Sequence, residues 1–305
     1  MSGVHYRLGI DLGGTKIEGV VLDAAGVTQW RERMPTEADG GYEHIVSRIV
    51  VLHARMLEVV GDARWSLGVG TPGAVSAATG LLKNSNTTVM NGRPLALDLA
   101  RAIGRPLRIE NDANCFALAE ASLGAARGHR IVFGVIAGTG CGGGVVIDGR
   151  ILTGRNRIAG EWGHIPIDPT GARCFCGAEG CVETFVSGPG IARQYAALTG
   201  QAQSAEQVVA RWQGGEHVAR DVMTRVFSAF GRGLANVADI LDPDIIVLGG
   251  GLSNVPGLCE RVRESLVREV FSDTYDTPVV RHELGDSAGV IGAALIGDDM
   301  PFTGR

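Results

Sequence analysis

The sequence predicts an α/β protein of duplicated design, two similar lobes facing each other across a cleft, and three observations predict it. Strand-like and helix-like apolar patterns alternate along all 305 residues, as they do in mixed α/β layers. A unit of strand, Gly/Thr turn, strand and second turn runs over Tyr6–Gly26 and again over Ile131–Gly149, about half a chain apart. A recurring unit points to internal duplication. The 46 glycines, finally, gather at GIDLGGTKIEG, GVGTPGAV, VIAGTGCGGGVV and VLGGGLS, each joined to a Val/Ile-rich run. Glycine permits positive φ and close backbone approach, so these clusters read as binding turns on a rigid scaffold.

Length and composition set the frame for that reading. The chain is long enough to bury two cores, and 45% hydrophobic with 20% charged residues is ordinary for a globular protein. A net charge of −5 and a pI near 5.8 leave no basic footprint for nucleic acid or an anionic membrane. No apolar run reaches membrane-spanning length, and MSGVHYRLGID enters a strand pattern at once, with no room for a targeting peptide. The expected setting is the reducing cytoplasm.

Taken in order, Tyr6–Ile10 is a strand, Asp11–Lys16 a tight glycine turn, and Ile17–Asp23 a second strand ending at the Ala24–Gly26 turn. A dinucleotide-binding turn or a Walker loop opens a helix; this turn opens a strand. Gly9-x4-Gly14 is also followed by Thr15 and Lys16, not by Lys and then Ser or Thr, so the Walker pattern fails letter by letter. The remaining readings are an ordinary hairpin and a phosphate hairpin. In the second, backbone N–H groups of Gly13, Gly14 and Thr15 face phosphate oxygens and Asp11 faces a hydrated Mg²⁺, while Lys16 either contacts phosphate or is simply solvated, the commoner fate of a lysine. The second copy decides between them. There Ile131–Ile136 is a strand, Ala137–Gly144 a turn containing Gly138, Thr139 and Gly140, and Val145–Asp148 a strand ahead of Arg150–Leu152. Two such hairpins can grip one polyphosphate.

Between the copies, Ile45, Ile49, Leu52, Met56 and Val59 place a helix over Tyr42–Val60. Ser66–Val69 is a strand leading to Gly70–Val75, Leu81–Pro94 a polar loop rich in amides, Leu95–Ile103 a helix and Leu107–Glu110 a strand. Ala113–Leu123 is a helix entered through Asn111-Asp112. Further on, Gly190–Leu198, Ala205–Gln213 and Ala219–Ile240 are helices, and Ile245–Leu248 is a buried strand ending in Gly249-Gly250-Gly251, which reads either as a plain turn or as a place where the backbone approaches an adenosine. Strand Val279–Glu283 and helix Ala288–Ile296 close the chain.

The densest chemistry lies in AGEWGHIPIDPTGARCFCGAEGCVET, Ala159–Thr184. His164, Cys174, Cys176 and Cys181 offer one imidazole and three thiolates, a full tetrahedral set for a structural zinc, and Cys-x-Cys-x4-Cys lets a short turn wrap the ion. Reduced cysteines that merely lie close, or a disulfide, are the competing readings. Without a secretory signal or an extracellular cysteine framework the disulfide is disfavoured, and three cysteines within eight residues favour the metal. Such a closed site fixes a loop rather than activating water, so the segment becomes a platform for Glu161 and Glu183.

Asp112 sits where a strand hands over to a helix, a place at which Asp and Asn commonly cap. Beside two phosphate hairpins it is also placed to take the proton from a hydroxyl that attacks a γ-phosphoryl group. Glu161, His164 and Glu183, with Asn86 and Asn111, form a polar set suited to several sugar hydroxyls. A solvated acid, a turn-forming amide or a pure metal ligand would explain each of them singly.

Together these residues resemble a known family. Asp11-Leu-Gly-Gly-Thr15, Gly73 in Thr-Pro-Gly, Asn111-Asp112-Ala113-Asn114, Gly138-Thr-Gly140, Gly160-Glu-Trp-Gly-His164, Cys174-x-Cys-Gly-x2-Gly-Cys181-x-Glu183 and Gly249–Gly251 are similar to motifs of the ROK family of bacterial sugar kinases and repressors. The likeness runs from about Leu8 to the final helix, and its cysteine signature is the most specific part. It implies an actin/hexokinase-like (ribonuclease H-like) fold, ATP–Mg²⁺ held between two lobes, structural zinc on His164, Cys174, Cys176 and Cys181, and a homodimer. The lobes would be 1–117, completed by a C-terminal helix over about 288–305, and 118–287. It also implies the base role for Asp112 and sugar contacts for Gly73, Asn86, Asn111, Glu161, His164 and Glu183. Lys83-Asn-Ser-Asn-Thr87 with Asn91-Gly-Arg-Pro94 resembles the fructokinase/mannokinase branch. Repressor members carry a DNA-binding region ahead of the first hairpin, where this sequence has seven residues. The expectation is an ATP-dependent kinase acting on the 6-hydroxyl of fructose or mannose, with N-acetylglucosamine or glucose as the alternative acceptor. Other classes to set against it are a non-enzymatic sugar sensor and a chaperone-type ATPase.

Overall fold

Two five-stranded sheets of the same topology carry the chain in a computed structural model that describes residues 5–297. The chain divides into two units. One takes the chain up to Ala119, Leu152–Ala159 and the chain from Asp286 onward; the other takes Glu120–Ile151 and Gly160–Gly285.

In the first unit β1 (His5–Leu12), β2 (Lys16–Leu22) and β3 (Thr28–Pro35) form an antiparallel meander. Helix α1 (Tyr42–Val60) returns the chain to β4 (Arg64–Thr71), parallel to β1. The short pair β5 (Ala74–Val75) and β6 (Leu82–Lys83) and helix α2 (Leu95–Ile103) lead to β7 (Arg108–Asn111), parallel to β4, which runs directly into α3 (Asp112–Leu123). The sheet order is β3-β2-β1-β4-β7. Ile45, Ile49, Leu52 and Met56, a helical stripe on α1, are fully buried with Leu8, Ile10 and Leu12 of β1 and Leu99 of α2. That spacing of apolar residues is why α1 forms and which face it buries.

The second unit repeats the design. Strands β8 (Ile131–Ala137), β9 (Cys141–Ile147) and β10 (Arg150–Ile151) form the meander. Helices α4 (Glu183–Val186), α5 (Gly188–Thr199), α6 (Ala205–Gln213) and α7 (His217–Leu241) precede β11 (Ile245–Gly249), parallel to β8. Helix α8 (Leu258–Glu269) and β12 (Val279–Arg281) follow, giving the order β10-β9-β8-β11-β12. The last helix, α9 (Ala288–Ile296), belongs to the first unit, where Val290 and Ala294 pack on Val20 and Leu22. Residues 298–305, to which the C-terminal helix was expected to extend, lie outside the described residues. Among the described residues no helix is long and apolar enough to cross a membrane.

Three elements depart from the sequence reading. Strand β3, TQWRERMP, went unread because its exposed and half-buried residues alternate as on a polar edge; only Trp30 and Met34 lean on the core. Helix α8 lies outside the elements expected from the sequence, although Leu258, Val262 and Leu266 are buried at four-residue spacing. The second glycine turn is also shorter than expected: it ends at Gly140, and Cys141-Gly-Gly-Gly144 is strand. Glycine at 143 serves packing there, since a Cβ would lie 2.6 Å from Trp162 Cδ1 and 2.7 Å from the Gly160 carbonyl.

Candidate active site

The duplicated topology puts the Gly13–Thr15 turn and the Gly138–Gly140 turn at equivalent places, each joining the first two strands of its sheet. In the first unit the Gly13 N–H donates to the Lys16 carbonyl at 2.9 Å and closes the bend. Thr36, fully buried just beyond β3, braces it twice: its hydroxyl donates to the Gly13 carbonyl (2.7 Å) and its N–H to the Thr15 carbonyl (3.0 Å). Thr36 escaped the sequence reading because a lone threonine after a strand carries no pattern.

Asp11 pairs in register with Glu18 across the hairpin. Burial, with Asp112 and Glu18 adding negative potential, raises its carboxyl from the ordinary 3.8 to about 7, against the opposing charges of Lys16 and Arg33. Glu18 is itself buried and held by Arg33 Nε at 2.7 Å, by the Ser287 hydroxyl at 3.0 Å and by Arg31 at 3.7 Å. A carboxyl kept this reluctant to ionise fits a position opposite a cation, and its oxygens are the ligand type Mg²⁺ takes.

The helix-capping duty considered for Asp112 falls mainly to its neighbour. Asn111 Oδ1 accepts from the Ala113 N–H at 2.9 Å while its amide donates to the Gly73 carbonyl at 3.1 Å. Asp112 opens α3, accepts from Ala113 N–H at 2.8 Å, and is close enough to Asp11 to raise its pKa. Gly73 has φ +87°, and a Cβ there would meet the Lys83 carbonyl at 2.4 Å and the Ser85 nitrogen at 2.8 Å, so no larger residue fits. The following loop is pinned by Asn91, whose side chain accepts from the Ser85 N–H and donates to the Ser85 carbonyl, both at 2.9 Å. This clamp presents Asn86 at the surface and brings Thr87 Oγ1 within 3.4 Å of where a Gly14 Cβ would stand. Asp11, the Gly13–Lys16 turn, Gly73, Asn86, Asn111 and Asp112 are thus positioned by β1, the β4–β5 turn, the loop between β6 and α2, and the junction of β7 with α3, all in one unit.

In the second unit Gly138 N–H donates to the Gly140 carbonyl at 2.9 Å. A Cβ on Gly138 would lie 3.6 Å from the Gly251 nitrogen, so the Gly138–Gly140 and Gly249–Gly251 turns are neighbours. Both border a cavity of about 650 Å³ whose walls include Pro189 and Ala192 of α5, Val209 of α6, and Leu252 and Val255 beyond β11. A mostly apolar slot of this volume bordered by two glycine turns has the size and lining of a small-molecule pocket. The α5 and α6 walls had no signature in the sequence.

His164, Cys174, Cys176 and Cys181 do converge: their ligand atoms all lie within 4.8 Å of one another. His164 Nδ1 faces Cys174 Sγ at 3.6 Å, and Cys176 Sγ faces Cys181 Sγ at the same distance. His164 Nε2 lies 4.0 Å from Glu161 Oε2, so the ring turns one nitrogen to the thiols and the other to the carboxylate. Burial pushes the Cys181 thiol up to about 12 and the Cys174 thiol upward, whereas the Ala178 backbone N–H draws exposed Cys176 down. Three soft thiols and an imidazole at this spacing fit a tetrahedral zinc, which would stabilise the thiolates that burial penalises. Glu183, two residues past Cys181, accepts from the Cys141 N–H with Oε2 at 2.8 Å.

The model of the ROK family matches residues 7–299. This chain belongs to the ROK family. The N-acetyl-D-glucosamine kinase of Escherichia coli O6:H1 (strain CFT073) is 36% identical to this ROK protein over 298 residues, covering 94% of this chain and 98% of that kinase. Among solved structures, a ROK hexokinase from Thermus thermophilus superposes with a TM-score of 0.87 at 34% identity, covering 96% of this chain and 98% of that one. A ROK family glucokinase from Streptomyces griseus, solved with glucose and AMPPNP, gives 0.80 at 29% identity, covering 97% and 100%. The fold is the actin/hexokinase-like one that the resemblance implied.

Proposed function

We propose that this ROK protein is an ATP-dependent hexose kinase that phosphorylates the 6-hydroxyl of N-acetyl-D-glucosamine in preference to other hexoses. The observation that carries the acceptor choice is the 36% identity to an N-acetyl-D-glucosamine kinase along nearly the full length of both chains. Fructose or mannose, expected from the loop Lys83–Thr87 and Asn91–Pro94, rested on that short segment and yields to the longer likeness. Glucose stays the second reading, favoured by the glucokinase solved with glucose.

In this proposal Asp112 accepts the proton of the 6-hydroxyl as its oxygen bonds to the γ-phosphorus and ADP leaves. The Gly13–Lys16 and Gly138–Gly140 turns hold phosphate oxygens through backbone N–H groups, and the slot beside Gly249–Gly251 takes the nucleoside. Asp11 would hold Mg²⁺, which when bound would neutralise charge on the phosphates. Gly73, Asn86, Asn111, Glu161, His164 and Glu183 orient sugar hydroxyls, and zinc on His164, Cys174, Cys176 and Cys181 would fix the loop that bears Glu161 and Glu183. ADP release measured with N-acetylglucosamine, glucose, mannose and fructose tests the reading. The highest kcat/KM is expected on N-acetylglucosamine; ATP turnover that ignores every sugar would leave a chaperone-type ATPase, and no turnover a sensor.

A further inference from the structure

Glu183 is held in a way that a simple sugar contact does not require. Its Oε2 accepts the Cys141 N–H at 2.8 Å, at the point where the Gly138–Gly140 turn becomes β9. The contact is close, since a Cβ on Gly140 would come within 2.9 Å of that oxygen. A few residues on, the Gly188 N–H donates to the Gly138 carbonyl at 2.7 Å, so the segment from Glu183 to Gly188 grips both ends of the turn. Between those grips the Ser187 hydroxyl donates to the Glu183 carbonyl at 2.8 Å and locks the short helix α4. On its other side the same segment is continuous with the cysteine loop: Val182 N–H donates to the Ile165 carbonyl at 3.1 Å, Pro166 bridges Cys181, and Val182 is fully buried.

We propose that Glu183 is a positioning residue through which the His164/Cys174/Cys176/Cys181 loop sets the shape of the Gly138–Gly140 turn, so that metal on the loop tightens nucleotide binding before any sugar arrives. The inference rests on the reading of that turn as a phosphate site. A charge-assisted hydrogen bond onto a backbone N–H is among the stronger single contacts. It fixes the first peptide after a turn whose N–H groups must point at phosphate. Loss of the metal frees Cys181, and Glu183 follows two residues behind.

The test is ADP affinity measured calorimetrically in Mg²⁺ and without sugar. It compares wild type, Glu183→Ala, Glu183→Asp and Glu183→Gln, with zinc content determined for each. Ala removes the acceptor and Asp shortens it by a methylene; both are expected to bind ADP on the order of tenfold more weakly, with zinc retained. Gln keeps an oxygen acceptor in place and should restore most of the affinity. Wild type stripped of zinc by chelation, dialysed and returned to Mg²⁺ should lose about as much as Glu183→Asp, and stripping Glu183→Asp should cost little more. ADP affinity that is unchanged in Ala and Asp while wild type binds ADP overturns the coupling. A wild type that binds no ADP overturns the phosphate reading beneath it.

Discussion

Asp112 and Asp11 are two carboxyl groups of one unit with different proposed tasks, and each can be separated from the other by a single substitution. Asp112→Asn keeps the shape at the start of α3 but cannot take a proton. Turnover is expected to fall by ~10²–10⁴ while acceptor binding measured by calorimetry survives; a kcat near wild type would remove the base assignment. Asp11 makes a statement about pH. Its carboxyl is raised to about 7 from 3.8, so the folded chain binds the extra proton between those values and loses stability as pH rises through that window. Asp11→Asn should therefore raise the unfolding free energy measured by urea titration at pH 8 without divalent cation, by an amount on the order of 2 kcal/mol given its partial exposure. The gain should vanish near pH 4. Both acids stand out in the sequence, Asp11 at the edge of a glycine turn and Asp112 where a strand hands over to a helix. Thr36 and the Glu183–Cys141 bond do not, because these side chains act on backbone groups distant in sequence, and no local pattern records such partners.

At the scale of elements, the loop between β6 and α2 shows how a segment without regular structure is held. Asn91 makes two hydrogen bonds to Ser85 and Gly73 leaves the room they need. Asn91→Ala should raise the acceptor KM by roughly tenfold, the worth of two ordinary hydrogen bonds, with the KM for ATP unchanged. Equal changes in both constants, or none, would show that the loop does not serve the acceptor. Helices with an apolar stripe were the easiest elements to read: α1 and α2 have the bounds their spacing predicted. Strand β3 escaped because an edge strand with a polar face carries a weak period-two signal. Cys141–Gly144 misled for another reason. A run of glycines looks like a turn, but these lie in β9, where Trp162 and the Gly160 carbonyl crowd the space a Cβ at 143 would need.

For the molecule as a whole, the repeated unit was the most informative feature of the sequence, and the two sheets repeat one strand order around it. Duplication of this kind is visible because the turn chemistry is repeated along with the fold. Acceptor choice was much less legible: it depends on where a few polar side chains meet one sugar, and the loop Lys83–Pro94 pointed to fructose or mannose while the full-length likeness favours N-acetylglucosamine. The homodimer is a separate proposal, carried by the family resemblance alone. The measurement that bears most directly on the whole account is phosphorus NMR, with proton correlation, of the products formed from ATP and N-acetylglucosamine. The account predicts ADP and a sugar monophosphate coupled to the C6 protons in equal amounts; ADP with free phosphate and unmodified sugar, or a phosphate on another carbon, would contradict it.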